Sequence, residues 1–330
     1  MPVAIPRKPR VYTLEPLHSQ ALALAREHFD LVPPDDEAFA GWREDAEGLM
    51  ARNAVVTPED VEVLKQNKLR FISKQGVGVD NFDLGSLRAA GIPLMNTPGI
   101  NAHAVAEIAI ALMMDVARSV TTIDRRIRAG NKVSKLDGWN GQLLRGKILG
   151  VIGGGNIGLA VAEMFVGAFK GRVIVYDPVI SASQQAKWSA TIPSAEPHFA
   201  PTLDELLAHS DIVTVHCPLN EHTRDLISDR ELGMMKKTSI ILNTARGGVI
   251  NEPALEKALR EGQIYGAGLD AFVLEPPSRQ AYPGLCELDN VVLTPHFGAT
   301  PEQVQQETCL SMVEHLVEAF EGKPLRDRVV

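Results

Sequence analysis

Three side chains of complementary chemistry each follow a short apolar run in the second half of the chain. Arg246 ends Asn-Thr-Ala-Arg, Glu275 ends Asp-Ala-Phe-Val-Leu-Glu, and His296 follows Leu-Thr-Pro. A guanidinium can bind a carboxylate through two parallel hydrogen bonds. An imidazole can give a proton to a carbonyl oxygen or take it back, and a carboxylate can orient the ring. Taken singly, each type is more often structural, so the prediction of an active site depends on all three.

The elements that would hold these side chains begin at a glycine-rich turn. Val-Ile-Gly-Gly-Gly-Asn-Ile-Gly (151–158) lies between a predicted strand and a predicted helix. Gly153 allows a tight turn, Gly155 allows close approach of a pyrophosphate, and Gly158 allows the helix to pack closely on the sheet. The free N–H groups of the helix N-terminus, beginning at Asn156 and Ile157, would face the phosphates. The pattern predicts a dinucleotide site.

An acid in the expected place favours NAD as the dinucleotide. Asp177 ends the strand Arg-Val-Ile-Val-Tyr after the turn, where it can accept hydrogen bonds from the adenine-ribose hydroxyls. Proteins that prefer NADP usually place a cation near the 2′-phosphate. Here Pro178 and Val179 follow the acid, and the next cation is Lys187.

Strand predictions place the three reactive side chains at one edge of a sheet. From residue 147 onward, strands are predicted at 148–152, 172–176, 212–216, 239–243, 266–269 and 291–293. Arg246, Glu275 and His296 each follow one of the last three strands. Because ligands bind at the carboxyl ends of parallel strands, we expect the three side chains to converge there.

A second α/β pattern precedes the glycine turn. Alternating strands (10–14, 54–56, 70–73, 92–96) and helices (19–28, 83–90) predict another parallel sheet. One long helix is predicted over 102–130 and another over 301–321. We therefore predict a discontinuous substrate-binding domain, 1–101 with 298–330, and an NAD-binding domain, 102–297.

Composition narrows the function classes. With 33 basic and 41 acidic residues the formal charge is −8, which argues against nucleic acid and an anionic membrane surface as partners. The three cysteines, Cys217, Cys286 and Cys309, lack the spacing of a disulfide framework or a zinc site, so no metal is expected. With no signal peptide or membrane-spanning run recognised, the expected location is the cytoplasm.

Further short motifs follow one order along the chain. They are Lys-Gln-Gly-Val-Gly-Val-Asp-Asn-Phe-Asp (74–83), Asn-Thr-Pro-Gly-Ile-Asn (96–101), Val-Ala-Glu (105–107), Asn-Thr-Ala-Arg-Gly-Gly (243–248), Gly-Ala-Gly-Leu-Asp (266–270) and Thr-Pro-His-Phe-Gly (294–298). With the glycine turn, this set resembles the D-isomer-specific 2-hydroxyacid dehydrogenases over nearly the whole chain. The resemblance implies a Rossmann NAD-binding domain inserted in a flavodoxin-like substrate domain, and a homodimer.

The resemblance also implies a reaction and residue roles. The reaction is reversible hydride transfer from NADH to a small 2-oxo acid, giving the D-2-hydroxy acid, with His296 as proton donor and acceptor. The substrate would be bound by Arg246, Lys74 and the backbone N–H groups of 76–78. The implied substrate contacts are Lys74, Gly76, Val77, Gly78 and Arg246. The implied cofactor contacts, beyond the glycine turn and Asp177, are Cys217, Pro218, Thr223, Thr244, Ala245, Asp270 and Gly298.

Departures from the family pattern leave the substrate open. Phosphoglycerate enzymes commonly have arginine where this chain has Lys74, and formate dehydrogenases pair the histidine with glutamine rather than with an acid such as Glu275. Two alternatives remain: a non-enzymatic NAD-sensing scaffold, like the corepressors of this fold, and oxidation of another donor such as phosphite. The three intact reactive side chains favour the dehydrogenase over the corepressor-like scaffold.

Overall fold

The computed structural model of the chain describes residues 7–135 and 141–330. It divides into two units: the first contains the chain up to Asn101 together with Thr300–Val330, and the second is Ala102–Ala299. The boundary predicted from the sequence, residue 297, lies two residues before the end of the second unit. The assignment of substrate binding to the first unit stays a prediction.

The sheet of the first unit is built from five short strands. They are β1 (Arg10–Thr13), β2 (Asp30–Val32), β3 (Gly48–Ala51), β4 (Phe71–Lys74) and β5 (Leu94–Met95). All are parallel, in the order β2-β1-β3-β4-β5, which is the flavodoxin-like order. The helices are α1 (Ser19–His28), α2 (Trp42–Asp45), α3 (Pro58–Gln66) and α4 (Leu84–Ala90), with a 3₁₀ helix at Glu37–Gly41.

The first unit differs from the sequence prediction at two of its five strands, since β2 and β3 were not predicted. The run 54–56 is not a strand: Val55 is 66% exposed, and Val56 forms only an isolated bridge with Phe82. The strand at this place in the sheet is β3, whose residues are all buried. Its first residue is glycine because an added Cβ would lie 3.1 Å from side-chain atoms of Val11 and Phe320. Periodicity misses such a strand, since a glycine carries no apolar signal.

The second unit contains a seven-stranded parallel sheet. Its strands are β6 (Ile148–Ile152), β7 (Arg172–Tyr176), β8 (His198–Phe199), β9 (Ile212–Val215), β10 (Ile240–Asn243), β11 (Gly266–Leu269) and β12 (Val291–Leu293). Their order is β12-β11-β10-β9-β6-β7-β8, the doubly wound dinucleotide-binding order with one further strand at the β12 edge. The predicted α/β class with two parallel sheets is therefore confirmed. Only β8, two residues long, was not predicted.

Helices cover both faces of this sheet. They are α5 (Ala102–Arg118), α6 (Val120–Arg128), α7 (Asn156–Phe169), α8 (Ala182–Thr191), α9 (Leu203–His209), α10 (Asp229–Met234), α11 (Glu252–Arg260) and α12 (Pro283–Glu287), with a 3₁₀ helix at Pro193–Ala195. The single helix predicted over 102–130 is wrong. Ser119 adopts a left-handed conformation with φ of +52°, which ends α5, and the Asp115 carboxylate accepts a hydrogen bond from the Thr121 backbone N–H at 2.8 Å.

The last helix, α13 (Glu302–Phe320), returns to the first unit, where it packs on α1 and β4. Beyond it, Arg328 pairs with Met95 in an antiparallel bridge, and the Val329 N–H donates to the Leu94 carbonyl at 2.7 Å. The end of the chain therefore extends the exposed edge of β5. Among residues 7–135 and 141–330, no helix is both long and apolar enough to cross a bilayer.

A buried histidine makes the first unit sensitive to acid. The side chain of His315 on α13 has no exposed surface, and its Nε2 lies 3.2 Å from Asp327 Oδ2. Burial, helped by the positive charge of Arg326, lowers the pKa of His315 despite that carboxylate. The folded state therefore favours the neutral ring.

We expect acid to destabilise the first unit through His315. Below the usual histidine value of about 6.5 the unfolded chain takes up a proton that the folded chain does not, so stability falls by up to about 1.4 kcal/mol per pH unit. Thermal unfolding followed between about pH 7.5 and 5.5 should show a steeper loss for the wild type than for His315→Asn. His28→Asn, which changes an exposed histidine, is the control; equal slopes for all three proteins would refute the prediction.

Candidate active site

The glycine turn after β6 has the close contacts that its sequence requires. Gly153 has φ of +100°, and an added Cβ would lie 2.7 Å from the carbonyl carbon of His216. A Cβ on Gly158 would overlap the carbonyl oxygen of Gly153. At Gly155, the N-cap of α7, none of the described atoms lies within 4 Å of the Cβ position. The turn therefore offers open space at the helix N-terminus, which fits a pyrophosphate.

Asp177, which follows β7, is fixed against this turn. Its Oδ2 accepts a hydrogen bond from the Gly154 N–H at 2.8 Å, and its Oδ1 accepts one from the Val179 N–H at 3.0 Å. Each oxygen keeps a lone pair that a ribose hydroxyl could use. The next cation, Lys187, donates from Nζ to Asn156 Oδ1 at 3.1 Å. These residues fit the adenosine half of NAD.

The loop after β9 contributes an unreactive thiol. Burial, with a smaller effect of the Asp177 charge, raises the pKa of Cys217 to about 11, so the thiol is protonated near neutral pH. The Thr223 hydroxyl donates to the Pro218 carbonyl at 2.6 Å and accepts from the Asn220 N–H at 2.8 Å, which closes the loop. Cofactor contacts of Cys217, Pro218 and Thr223 stay predictions.

His216, which was not predicted as a site residue from the sequence, lies directly after β9. Burial lowers the pKa of His216 to about 3, so its ring is neutral. Its Nε2 lies 2.8 Å from the Thr214 hydroxyl and its Nδ1 lies 3.4 Å from the hydroxyl of Thr244. His216 therefore positions Thr244, one of the expected nicotinamide contacts. The sequence signal for this residue is a histidine between an apolar strand and the dipeptide Cys217-Pro218.

Glu275 and His296 form a hydrogen-bonded pair. Both oxygens of Glu275 lie close to His296 Nδ1, at 3.0 and 2.9 Å, so Nε2 is the ring nitrogen directed to other partners. His296 has φ of +60°, which is uncommon for a residue other than glycine and is often found at functional sites. About two fifths of its side-chain surface is exposed (39%), which leaves the ring accessible.

Glu275 is ionised in this setting. Partial burial by itself would raise the pKa of Glu275, but hydrogen bonds from His296 and the Phe272 N–H, and the charges of His296 and Arg246, lower it below its usual value. An ionised carboxylate stabilises a protonated imidazole beside it. Arg246 is close enough to contribute, so the three reactive side chains lie in one region of the second unit.

The segment that carries Arg246 is shaped by its own side chains. Asn243 Nδ2 donates to the Arg246 carbonyl at 2.8 Å, and Asn243 Oδ1 accepts from the Ala245 N–H at 3.1 Å. Arg246 Nη1 donates to the Ala245 carbonyl at 2.8 Å. The guanidinium is thereby placed at the end of β10.

Asp270, expected to contact the nicotinamide, also holds the segment that carries His296. It is 1% exposed. Its Oδ1 accepts from the Thr294 hydroxyl at 2.7 Å and the Phe297 N–H at 2.8 Å, and its Oδ2 accepts from the Gly298 N–H at 2.9 Å. The carboxylate thus fixes both sides of His296. Direct cofactor contact by Asp270 or Gly298 stays a prediction.

Within the first unit, the predicted substrate residues follow β4. Lys74 Nζ donates to the Gln75 carbonyl at 2.8 Å, and the lysine is 7% exposed. The Gly76 N–H donates to the Thr97 hydroxyl at 2.7 Å. Substrate contacts of Lys74 and of the backbone N–H groups of 76–78 stay predictions.

Comparison with protein families identifies the second unit. Residues 110–298 match the model described as the NAD binding domain of D-isomer specific 2-hydroxyacid dehydrogenase. That range contains the glycine turn, Arg246, Glu275 and His296.

Individual relatives match nearly the whole chain. The hydroxypyruvate reductase of Thermotoga maritima is 35% identical over 311 residues, covering 93% of this chain and 97% of the relative. The glyoxylate reductase of Korarchaeum cryptofilum is 34% identical and covers 96% of this chain and 94% of the relative. Among solved structures, a glyoxylate reductase from Paecilomyes thermophila superposes with a TM-score of 0.86 at 28% identity, covering 98% of this chain and 99% of the other.

Gly247 provides a test of the site geometry. An added Cβ would overlap the backbone of Phe272 and Val273 in the loop that carries Glu275, so Gly247→Ala must push apart the segments of Arg246 and Glu275. We expect a loss of about 2 kcal/mol of stability and a fall in kcat/KM of about ten-fold or more. Thermal unfolding and steady-state kinetics measure both.

Gly233→Ala is the matched control, because the exposed Gly233 on α10 has no described atom within 4 Å of the Cβ position. Similar behaviour of the two variants would contradict the close approach at Gly247.

Proposed function

The chain belongs to the D-isomer specific 2-hydroxyacid dehydrogenase family, and on that premise we propose that it reduces a small 2-oxo acid to the D-2-hydroxy acid with NADH, His296 supplying the proton. The observation that carries this proposal is the Glu275–His296 pair in the electrostatic field of Arg246. These three side chains follow β11, β12 and β10, which are neighbours in the sheet. Ligands of such sheets bind at this edge.

The roles of the side chains follow from their chemistry. Bound NADH supplies a hydride to the carbonyl carbon. Arg246 binds the substrate carboxylate through its planar fork. His296 donates a proton from Nε2 to the carbonyl oxygen as negative charge develops there, and in the reverse direction it accepts that proton. Glu275 keeps Nδ1 protonated and fixes the plane of the ring.

The proposed substrates are two small 2-oxo acids. The named relatives are hydroxypyruvate and glyoxylate reductases, so we propose these two acids as the first to test. A non-enzymatic NAD-sensing scaffold would not require an ionised carboxylate that is hydrogen-bonded to an accessible imidazole. The geometry therefore favours the enzyme.

We also propose that the protein is a homodimer. The family resemblance supports this proposal, and α6, on which Val120 and Ile127 are 59% and 56% exposed, is the surface to test. The predicted cytoplasmic location remains to be tested.

Asp177 should make the enzyme prefer NADH. A carboxylate that accepts hydrogen bonds from the ribose hydroxyls repels a 2′-phosphate, and like charges in contact cost several kcal/mol. We expect kcat/KM for NADH to exceed that for NADPH by about 100-fold. Asp177→Ala should reduce the ratio, whereas Lys187→Gln should not invert it. Comparable wild-type rates with both cofactors would disprove the cofactor assignment.

His296→Ala and Arg246→Ala should affect different kinetic constants. Loss of the proton donor should lower kcat about 100-fold or more. In Arg246→Ala, KM for the 2-oxo acid should rise strongly, because the substrate carboxylate loses its charged partner. NADH absorbance with hydroxypyruvate and glyoxylate gives both constants. His222→Ala, in an exposed loop of the same unit, is the control; normal turnover by His296→Ala would remove this histidine from the mechanism.

A further inference from the structure

The loop 272–275, which carries Glu275, is held by hydrogen bonds to three consecutive backbone N–H groups. The Phe272 N–H donates to Glu275 Oε1 at 3.0 Å. The Val273 N–H donates to Glu252 Oε1 at 2.7 Å, and the Leu274 N–H donates to the Tyr282 hydroxyl at 2.7 Å. Two of the three acceptors therefore come from outside the loop, from the first turn of α11 and from the residue before α12.

Side-chain packing fixes this loop at Phe272 but not at Val273 or Leu274. The side chains of Val273 and Leu274 are each 60% exposed, whereas Phe272 is 4% exposed and its ring centroid lies 5.1 Å from that of Tyr282. The loop is thus anchored by packing at its start, and between Phe272 and Glu275 it depends on hydrogen bonds. Backbone N–H groups without a regular ladder require such partners.

Glu252 and Tyr282 act as one unit. The Tyr282 hydroxyl also lies within interaction distance of the Glu252 carboxylate. Burial raises the pKa of both groups, and the charge of Glu275 adds to the rise for each. The phenol therefore keeps its proton, and its oxygen accepts from the Leu274 N–H.

We propose that Glu252 and Tyr282 are positioning residues of the Glu275–His296 pair, setting the distance and plane in which the carboxylate meets the imidazole. The charged and titratable groups that face Glu275 are His296, Arg246, Glu252 and Tyr282. His296 and Arg246 act on it directly, whereas Glu252 and Tyr282 interact with its charge and also hold the backbone of 273–274. This inference rests on the proposed function, which assigns the proton transfer to His296.

The test compares Tyr282→Phe, Glu252→Gln and Glu252→Ala with the wild type. Tyr282→Phe keeps the ring against Phe272 and removes the hydroxyl that accepts from Leu274 and interacts with Glu252. Glu252→Gln keeps an oxygen for Val273, whereas Glu252→Ala keeps none. Tyr265→Phe is the matched control, because Tyr265 belongs to the same unit and packs in a different apolar cluster.

The kinetic readout separates positioning from general loss of structure. We expect Tyr282→Phe and Glu252→Ala to lower kcat about ten-fold, as is typical when a second layer of hydrogen bonds is removed. KM for NADH should stay within about two-fold, since the adenosine site is untouched. The alkaline limb of the kcat/KM profile should move to lower pH, because a loosened carboxylate stabilises the imidazolium less. Glu252→Gln should retain more activity than Glu252→Ala.

Hydrogen exchange of the backbone amides tests the same idea without turnover. Amides of 272–276 should exchange faster in Tyr282→Phe and Glu252→Ala than in Tyr265→Phe or the wild type. Unchanged exchange in those two folded variants, or faster exchange with unchanged kcat and pH profile, would overturn the positioning role. Absence of 2-oxo acid reduction by the wild type would instead overturn the proposed function, so the two failures are distinguishable.

Discussion

The buried carboxylate of Asp270 joins the ends of two neighbouring strands, and the rest of the candidate site depends on it. Asp270 follows β11, and its two oxygens accept three hydrogen bonds from the segment that follows β12. A buried polar group is stable only when its hydrogen-bonding capacity is used. The segment 294–298 therefore has little freedom, and His296 is held in its left-handed conformation beside Glu275. The hydrogen bonds of one buried carboxylate thus fix the position of His296.

Close approach of backbones is the second constraint on this sheet edge. Gly153 lies against His216, Gly158 against Gly153, and Gly247 against Phe272. At each place a side chain would separate two loops that the site needs together. Glycine is therefore required by neighbours distant in sequence, and only some of these glycines belong to a recognisable motif.

Features that depend on local spacing along the chain could be predicted from the sequence. The glycine turn, the acid after β7 and the parallel order of the second sheet could all be predicted, because each follows from local spacing. Prediction failed where a distant partner decides the outcome. Strand β3 was missed because its Gly48 is set by the approach of Val11 and Phe320, and the break at Ser119 has no proline or glycine to mark it. His216 was missed because its neutrality comes from burial, which the sequence does not show.

Cys217 has a consequence for how the protein meets oxidants. Peroxides and alkylating reagents attack thiolates rather than thiols. With a pKa of about 11, Cys217 has almost no thiolate near neutral pH, although it lies within electrostatic reach of Asp177. The Cys217 thiol should therefore react slowly with peroxides. The same property makes it a poor target for covalent inhibitors, which would need to be directed elsewhere on the molecule.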